Sequence, residues 1–519
     1  MILQATVSDE IANRFLRRFV LVAIASAVFW IARSRSRTKR LPPGPPGLPI
    51  VGNVFDIPKQ YSWIAYRDIA AKYGDVLCVQ ALGHTLVIVS SVNAAIDLFE
   101  KRSTIYSDRP ASVLAQMIGW TRNLAFMRYD DNWRRMRRLF WHHFQPSAVV
   151  QYRPVQQREA RNFLRTLLDD QTDLCGRIKL SFCRALLNAT YGLPEKDVTH
   201  RYVELLEQSD ANISEAFNPG AFFVEFMPWL RHIPSWFPGA GWQQKVKEWQ
   251  AQATGVFEEP YRAGLDAMKR GEASSSMLHE LLEAARGKET ELDEEIIKGT
   301  TATAFLAGTD TTVATFYAFF CAMILHPEVQ KRAQEELDTV VGPDRLPEHA
   351  DRASLPYIDA IVKETLRWHN VAPLGMAHGC MEDDEYRGWT IPKGATIMIN
   401  LWSIFHDPQQ YPEPDVFRPE RYLKDGKLGG DNLDPTTVAF GMGRRICPGR
   451  HFADDALFIN MASVLHVFNI SSRLDERGEP IPVEAKVTSG FLSDIVEFKY
   501  SICPRSSAAE ALIREANAA

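Results

Sequence analysis

Hydrophobic residues fall into distinct patterns along the chain. Residues 19–32, FVLVAIASAVFWIA, run without a charge. A membrane-spanning helix prefers ~20 apolar residues. Phe15, Leu16 and snorkelling arginines extend the run toward that length. The pattern predicts an N-terminal membrane anchor within residues 1–40, with an interfacial helix as the second choice. The basic block RSRSRTKR at 33–40 follows, which favours a cytoplasmic position for what comes next. Arg14, Arg17 and Arg18 on the other flank weaken that bias. The stretch LPPGPPGLPI at 41–50 reads as a proline-stiffened hinge.

Beyond the hinge, helical periodicity dominates 130–170, 242–270, 293–325, 328–340 and 354–369. Alternating patterns are fewer. They predict a hairpin over 75–90 with Gly83-His84 at its turn, a second group at 385–400, and a strand at 494–502. The expected architecture is mainly α with small β-sheets at one side, an α+β fold. One large domain over 51–503 follows, with a C-terminal tail at 504–519. Residues 205–243 break the pattern with clustered aromatics and prolines. They read either as a loop packed on the core or as an apolar lid that touches a membrane and admits lipophilic substrate.

The segment 293–325 is the longest helix, about 50 Å at 1.5 Å per residue. Its middle, AGTDTT at 307–312, holds poor helix formers and a carboxylate, Asp310, in apolar surroundings. Either the turn is distorted around a small polar pocket, or the helix is intact and its threonines bond back to the preceding turn.

Composition narrows the chemistry. The formal net charge of −5 gives no nucleic-acid signature. The seven cysteines are widely spaced and form no C-x-x-C pair, which argues against zinc ribbons, iron–sulfur clusters and a disulfide framework. A solitary cysteine is ordinarily a buried, inert thiol. Cys447 is different: it stands in FGMGRRICPGR, among Gly441, Gly443 and Gly449 and beside Arg444, Arg445 and Arg450.

Three further stretches carry candidate chemistry. In KETLR, Glu364 and Arg367 can pair on one helical face. In FRPERY, Arg421 offers a second guanidinium from a proline-bounded loop. In DNWRRMRRLF, Trp133 and Arg137 lie four apart, a donor pair suited to a carboxylate. Arg134, Arg135 and Arg138 add a basic patch, which alone reads equally as a solvated helix or a membrane contact.

In chain order these are W-x-x-x-R, A-G-x-D-T-T, E-x-x-R, P-E-R and F-x-x-G-x-R-x-C-x-G. The set resembles the ordered signature of the cytochrome P-450 haem-thiolate monooxygenases, of the membrane-anchored eukaryotic type, from the hinge to the last strand. The stretch PLGMAHGCMEDDEYRGWTIPKG at 373–394 looks like fungal members that make secondary metabolites, with Ala377 where that group has proline before its histidine.

The resemblance implies a haem b cofactor with Cys447 as its thiolate ligand, which favours O–O cleavage. It implies that Phe440 shields the sulfur and that Gly441, Gly443 and Gly449 allow close packing at the ring. Trp133, Arg137, His378 and Arg445 would hold the propionates. Glu364, Arg367 and Arg421 would form a buried triad, and Asp310 and Thr311 would relay protons. The implied activity is oxidation of a lipophilic small molecule with dioxygen and NADPH-derived electrons, in secondary-metabolite (terpenoid or polyketide/aromatic) biosynthesis or xenobiotic oxidation. The implied partners are NADPH–cytochrome P-450 reductase, cytochrome b5 as a further donor, the substrate and a membrane. The implied location is the endoplasmic reticulum, with a single-pass anchor and a cytosolic body. Two rival readings are a haem-thiolate isomerase or dehydratase that uses no dioxygen, and a haem sensor or carrier. Expected pocket walls include Met117, Phe305, Leu306, Leu374, Met376, Phe491 and Leu492.

Overall fold

Alternation at 75–90 becomes a hairpin of β1 (Val76–Ala81) and β2 (His84–Val89). In the computed structural model, which describes residues 40–170, 172–198, 200–217, 222–286 and 293–516, its two-residue turn is Leu82-Gly83, both at positive φ. That is one residue earlier than the pattern suggested, and His84 opens β2 opposite Ala81. Two positive φ angles match the right-handed twist of the flanking strands. The 385–400 group supplies β4 (Asp384–Tyr386), β5 (Trp389–Ile391) and β6 (Thr396–Ile399), preceded by β3 (His378–Gly379). The main sheet runs in the order β1-β2-β6-β3, with β2 and β6 parallel. Two small hairpin sheets pair β4 with β5, and β7 (Leu423–Lys424) with β8 (Lys427–Leu428). The fourth sheet pairs β9 (Phe468–Ser472) with β10 (Tyr500–Pro504). The strand expected at 494–502 therefore starts at Tyr500, and Ile495 makes only an isolated bridge to Val487.

The 41–50 segment is docked on the body at its start. The N–H of Cys78 in β1 donates to the Pro43 carbonyl at 2.8 Å, and that of Thr390 donates to the Arg40 carbonyl at 2.7 Å. The anchor expected at 1–40 falls, except for Arg40, outside the described residues.

The helical body contains α1 (Ser62–Tyr73), α2 (Val113–Ile118), α3 (Asp131–Phe144), α4 (Arg153–Asp169), α5 (Leu174–Tyr191), α6 (His200–Ala216) and α7 (Trp242–Lys269). It continues with α8 (Met277–Arg286), α9 (Glu294–Leu325), α10 (Pro327–Val340), α11 (Pro356–Trp368), α12 (Arg450–Val467) and α13 (Ser507–Glu515). The pattern at 130–170 divides into α3 and α4, joined by a short helix Pro146–Val149 and a tight turn Val150–Tyr152, with Pro146 and Pro154 each at the start of a new helix. Helix α6 runs to Ala216, so the irregular lid is shorter than 205–243. The tail folds too: the Ser506 hydroxyl caps α13, whose Ile513 is fully buried.

Helix α9 is the axis of the core. The Asp293 carboxylate caps it by accepting from the N–H groups of Glu295 and Ile296. It is the one described helix long and apolar enough to cross a membrane, yet most of that stretch is buried inside the body. Its most extensive contact is with α5. At Gly308 a Cβ would come within 3.0 Å of the Leu186 side chain, so the glycine leaves room for that side chain of α5.

Helix α11 is locked to the segment that leads to Cys447. Glu364 and Arg367 have no solvent exposure, and their bidentate pair closes at 2.7 and 2.8 Å. Arg421 reaches Glu364 at 3.2 Å, the Tyr422 hydroxyl donates to it at 3.1 Å, and the Arg418 N–H donates at 2.8 Å. Arg367 also donates to the Phe405 carbonyl, and Arg421 to those of Pro412, Glu413 and Val416. A buried ion group of this kind is expensive to break because the remaining charge has no water. Glu364→Ala is expected to cost about 3–5 kcal/mol of unfolding free energy. Denaturant titration checks this, and a loss below about 1 kcal/mol, the level of an exposed pair, would contradict it.

Candidate active site

Cys447 sits on the loop that enters α12. Its N–H donates to the Phe440 carbonyl at 2.7 Å, which closes the loop on itself. Gly443 has φ of +61°, and a Cβ there would lie 1.9 Å from the Phe99 carbonyl. Its glycine requirement therefore comes from the protein backbone behind the loop. Gly449 has ordinary φ and open space around it. Burial pushes the Cys447 thiol up. The N–H groups of Gly449 and Arg450 and the Arg137 and Arg450 guanidiniums act in the opposite direction. The sulfur thus faces the start of α12, whose donors and dipole act against the rise that burial imposes.

Around this loop the protein buries positive charge without matching carboxylates. Arg445 donates to the carbonyls of Ser107, Met127 and Leu124, and its guanidinium lies 4.2 Å from the Trp133 ring centroid. Burial, then the neighbouring Arg109, draws its pKa down to about 8. Arg109 donates to the carbonyls of Ala125, Met376 and Ala377, and burial draws it to about 10. Burial likewise draws Arg137 to about 10. Among the described residues none of the three forms an ion pair. The adjacent Asp108 is already occupied by Arg128 and the Tyr129 N–H. The Trp133 indole N–H is buried with no partner.

Buried guanidiniums and an orphaned donor call for an anion. The two carboxylates of a haem meet that need, so the residues present fit the group. Arg109 is the member that no sequence motif singled out. Its burial without an ion pair among the described residues reveals it.

His378 differs from the other expected cofactor residues. Its Nδ1 lies 2.7 Å from the Tyr106 carbonyl, which can only accept. Burial, with Arg109 next, holds its pKa well below the usual value. In this neutral tautomer Nε2 offers a lone pair, so it donates to a carboxylate only after protonation.

On α9 every residue from Ile296 to Met323 is buried except Ala307, Gly308, Asp310 and Thr311. The helix is intact there. The hydroxyls of Thr309, Thr311, Thr312 and Thr315 each donate to the carbonyl four residues back at 2.7–2.8 Å. Asp310 does not share Thr311's surroundings. Its carboxyl meets Asp210 of α6, near Lys179 of α5 and Asp494. Its Oδ1 is buried and unpartnered. Burial raises both carboxyls of this pair, and Lys179 pulls both down. Burial lowers Lys179, but Asp310 and Glu207, 3.1 Å away, outweigh it.

A cavity of about 280 Å³ lies between the α2 region, the lid and the sheet. Its lining includes Arg109, Phe126, Phe217, Phe222, Met376 and Phe491. Met376 and Phe491 are where the sequence placed them. Phe305 and Leu306 are core residues instead, with Phe305 edge-on to Tyr191. Met117, Leu374 and Leu492 do not line this cavity.

The cytochrome P450 family model matches residues 42–501. The chain belongs to the cytochrome P450 family. It is 40% identical to cytochrome P450 monooxygenase COX2 of Coprinopsis cinerea, over 95% of both chains. It is 41% identical to cytochrome P450 monooxygenase claR of Ampulloclitocybe clavipes, over 92% of this chain and 89% of that one. It is 36% identical to tryptamine 4-monooxygenase of Psilocybe cyanescens, over 94% and 97%. Cytochrome P450 membership makes this chain a haem-thiolate monooxygenase, with haem b held by a cysteine thiolate, and disfavours the isomerase reading. Cytochromes P450 take electrons from redox partners and act on lipophilic substrates.

The Asp210–Asp310 pair makes stability depend on pH. A carboxyl whose folded pKa is raised contributes most below its unfolded pKa, and that contribution is lost as pH rises toward the folded value. Asp210→Asn removes the group that must stay protonated. The variant's melting temperature relative to the parent is expected to climb between about pH 5 and about pH 8. A difference that stays flat across that window would show that Asp210 is not held protonated.

Proposed function

We propose that this cytochrome P450 binds its haem through Cys447 and oxidises an apolar, ring-containing small molecule of secondary metabolism. The observation that carries the reading is the set of buried, carboxylate-free guanidiniums beside the glycine-framed cysteine. Trp133, Arg109, Arg137 and Arg445 hold the two propionates, with His378 joining when protonated. The N–H groups of Gly449 and Arg450 oppose the rise that burial imposes on the Cys447 thiol, and a bound metal would complete the shift to thiolate. Bound haem supplies dioxygen activation and oxygen insertion.

The remaining steps belong to the chain. Phenylalanines 126, 217, 222, 226 and 491 exclude water and orient an apolar ring system. Thr311 is the polar side chain of α9 that stands at its incompletely buried stretch, and Asp310 stores a proton one position away, shared with Asp210. Thr311 Oγ holds its own proton on the Ala307 carbonyl, so its lone pairs are free to accept from water or substrate. The name of the tryptamine 4-monooxygenase relative supports an aromatic substrate, and the phenylalanine-rich cavity agrees with it.

Electrons reach this site from NADPH–cytochrome P-450 reductase, with cytochrome b5 as a further donor, at the basic face of α3. Arg134 and Arg138 are exposed there, and Arg134 pairs with Asp131. Residues 1–40 anchor the protein in the endoplasmic reticulum with the body cytosolic. Exposed Phe223, Trp229, Trp236 and Phe237 on the lid give a second contact with the bilayer.

Two outcomes test this reading. Cys447→Ser is expected to lose the long-wavelength Soret band of the reduced, CO-bound protein. Survival of that band at normal intensity would remove Cys447 as the ligand. Arg135→Glu with Arg138→Glu is expected to slow haem reduction by the reductase, most at low salt, with haem content unchanged, because docking between opposite charges weakens under screening. Equal reduction rates at low salt would move the docking face elsewhere.

A further inference from the structure

Helix α2 borrows the partners of its first turn from the lid. The Ser112 hydroxyl accepts from the Ala115 N–H at 2.9 Å, an ordinary N-cap. The next donors turn outward. Leu114 N–H donates to Glu225 Oε1 at 2.7 Å, Val113 N–H donates to Oε2 at 3.3 Å, and the Ser112 hydroxyl donates to Oε1 at 2.8 Å. Glu225 belongs to the short turn Phe223–Glu225 of the lid, more than a hundred residues away in sequence. Ser112 and Glu225 both line the 280 Å³ cavity.

We propose that Glu225 is the latch of the substrate channel, resting on the reading of that cavity as the way to the haem. Three donors converge on one partly buried carboxylate. Charge-assisted bonds of this kind are roughly twice as strong as neutral ones. The negative charge also faces the positive end of a helix. Apolar contacts hold the rest of this stretch of lid. Val224 is buried, Phe222 packs edge-on against Trp249, and the Phe226 ring packs edge-on against His84 at the tip of the β1–β2 hairpin. Beyond Phe226 the lid turns to exposed Met227 and Trp229.

The walls on the two sides of the cavity are therefore joined by one acid. Opening the channel leaves the α2 donors without protein partners, and water replaces them once the walls part. The latch thus sets how often the channel opens, and a molecule too large for the closed cavity has to wait for it. Glu225 acts on access and leaves the reacting groups alone, which makes it a positioning residue.

The test uses the full-length holoenzyme and two probes. Amide hydrogen exchange reads Val113 and Leu114 directly. In the parent both amides are expected to be protected. In Glu225→Ala their exchange is expected to rise at least about tenfold, in keeping with loss of charge-assisted bonds. The second probe is 1-phenylimidazole, whose nitrogen ligates haem iron and shifts the Soret band. Its association rate is expected to rise several-fold in Glu225→Ala, with a smaller rise in Glu225→Gln, which keeps one acceptor oxygen. Carbon monoxide, small enough to pass the closed channel, is expected to bind at an unchanged rate in all three. Ser112→Ala combined with Glu225→Ala is expected to add less than the sum of the single changes, since both break one contact.

Parent-like exchange at Val113 and Leu114 in Glu225→Ala would overturn the latch, as would an association rate within about twofold of the parent's, well short of the change that such bonds imply. Should Glu225→Ala fail to fold, Glu225→Gln carries both measurements. Exchange does not depend on haem, so a failure of the haem assignment silences only the imidazole arm and leaves the latch decided by the amides.

Discussion

The buried carboxylate of Glu364 is the constraint on which the placement of Cys447 depends. It has no contact with water, so its charge must be met by the protein. Arg367 meets it from the same helix, which any E-x-x-R spacing allows. Arg421, Tyr422 and the Arg418 N–H meet it from a segment more than fifty residues away. That segment has little regular structure of its own, and its Pro412, Glu413 and Val416 carbonyls are held by the same two guanidiniums. One buried charge therefore organises a loop that propensity could not. The chain then runs through β7 and β8 to the cysteine loop, whose own geometry is fixed by the close approach of Gly443 to the Phe99 carbonyl.

A second economy of charge operates at the site. At Glu364 the protein balances its buried ions internally. Around Cys447 it does not: Arg109 and Arg445 are buried against carbonyls, Arg445 also against the Trp133 ring, Arg137 is half-buried nearby, and each is pulled toward neutrality. Such a cluster costs stability until an anion arrives, and binding a dianionic cofactor then returns that cost as affinity. Arg137 belongs to both settings: it is one of these cations, and with Arg450 it opposes the rise that burial imposes on the Cys447 thiol. His378 reports on the positive field of this cluster in part, because burial first, and then the Arg109 and Arg445 cations, keep its imidazole neutral.

The contrast between these two charge clusters explains what the sequence made legible. Motifs with short spacing could be read directly: Glu364 with Arg367, Trp133 with Arg137, and the cysteine frame. The hairpin and the long amphipathic helices followed from periodicity. Helix α12 did not, because it is buried on nearly every side and has no polar stripe to mark a period. Helix α5 was missed for a related reason, since several of its faces pack at once. Arg109 was illegible because its significance is burial without an ion pair among the described residues, which exists only in three dimensions. The clasp of Glu225 on α2 is likewise a long-range contact between two segments that are each unremarkable in sequence. Phe305 misled because an apolar residue beside a site motif can face either way on a helix, and this one faces α5.

Helix α9 shows why adjacent residues of one motif need not share a task. Successive positions on a helix point about 100° apart, so Asp310 and Thr311 cannot both look at the same place. Asp310 turns to α5 and α6, where Lys179, Asp210 and Asp494 surround it. Thr311 anchors its hydroxyl to the Ala307 carbonyl and stands where the core opens. The turn stays helical, with its threonine hydroxyls bonded back to the preceding turn, and at Gly308 an added Cβ would crowd the Leu186 side chain of α5. The poor helix formers and the buried acid are thus parts of one arrangement: glycine leaves α5 room beside the turn, and α5 and α6 enclose the carboxyl pair.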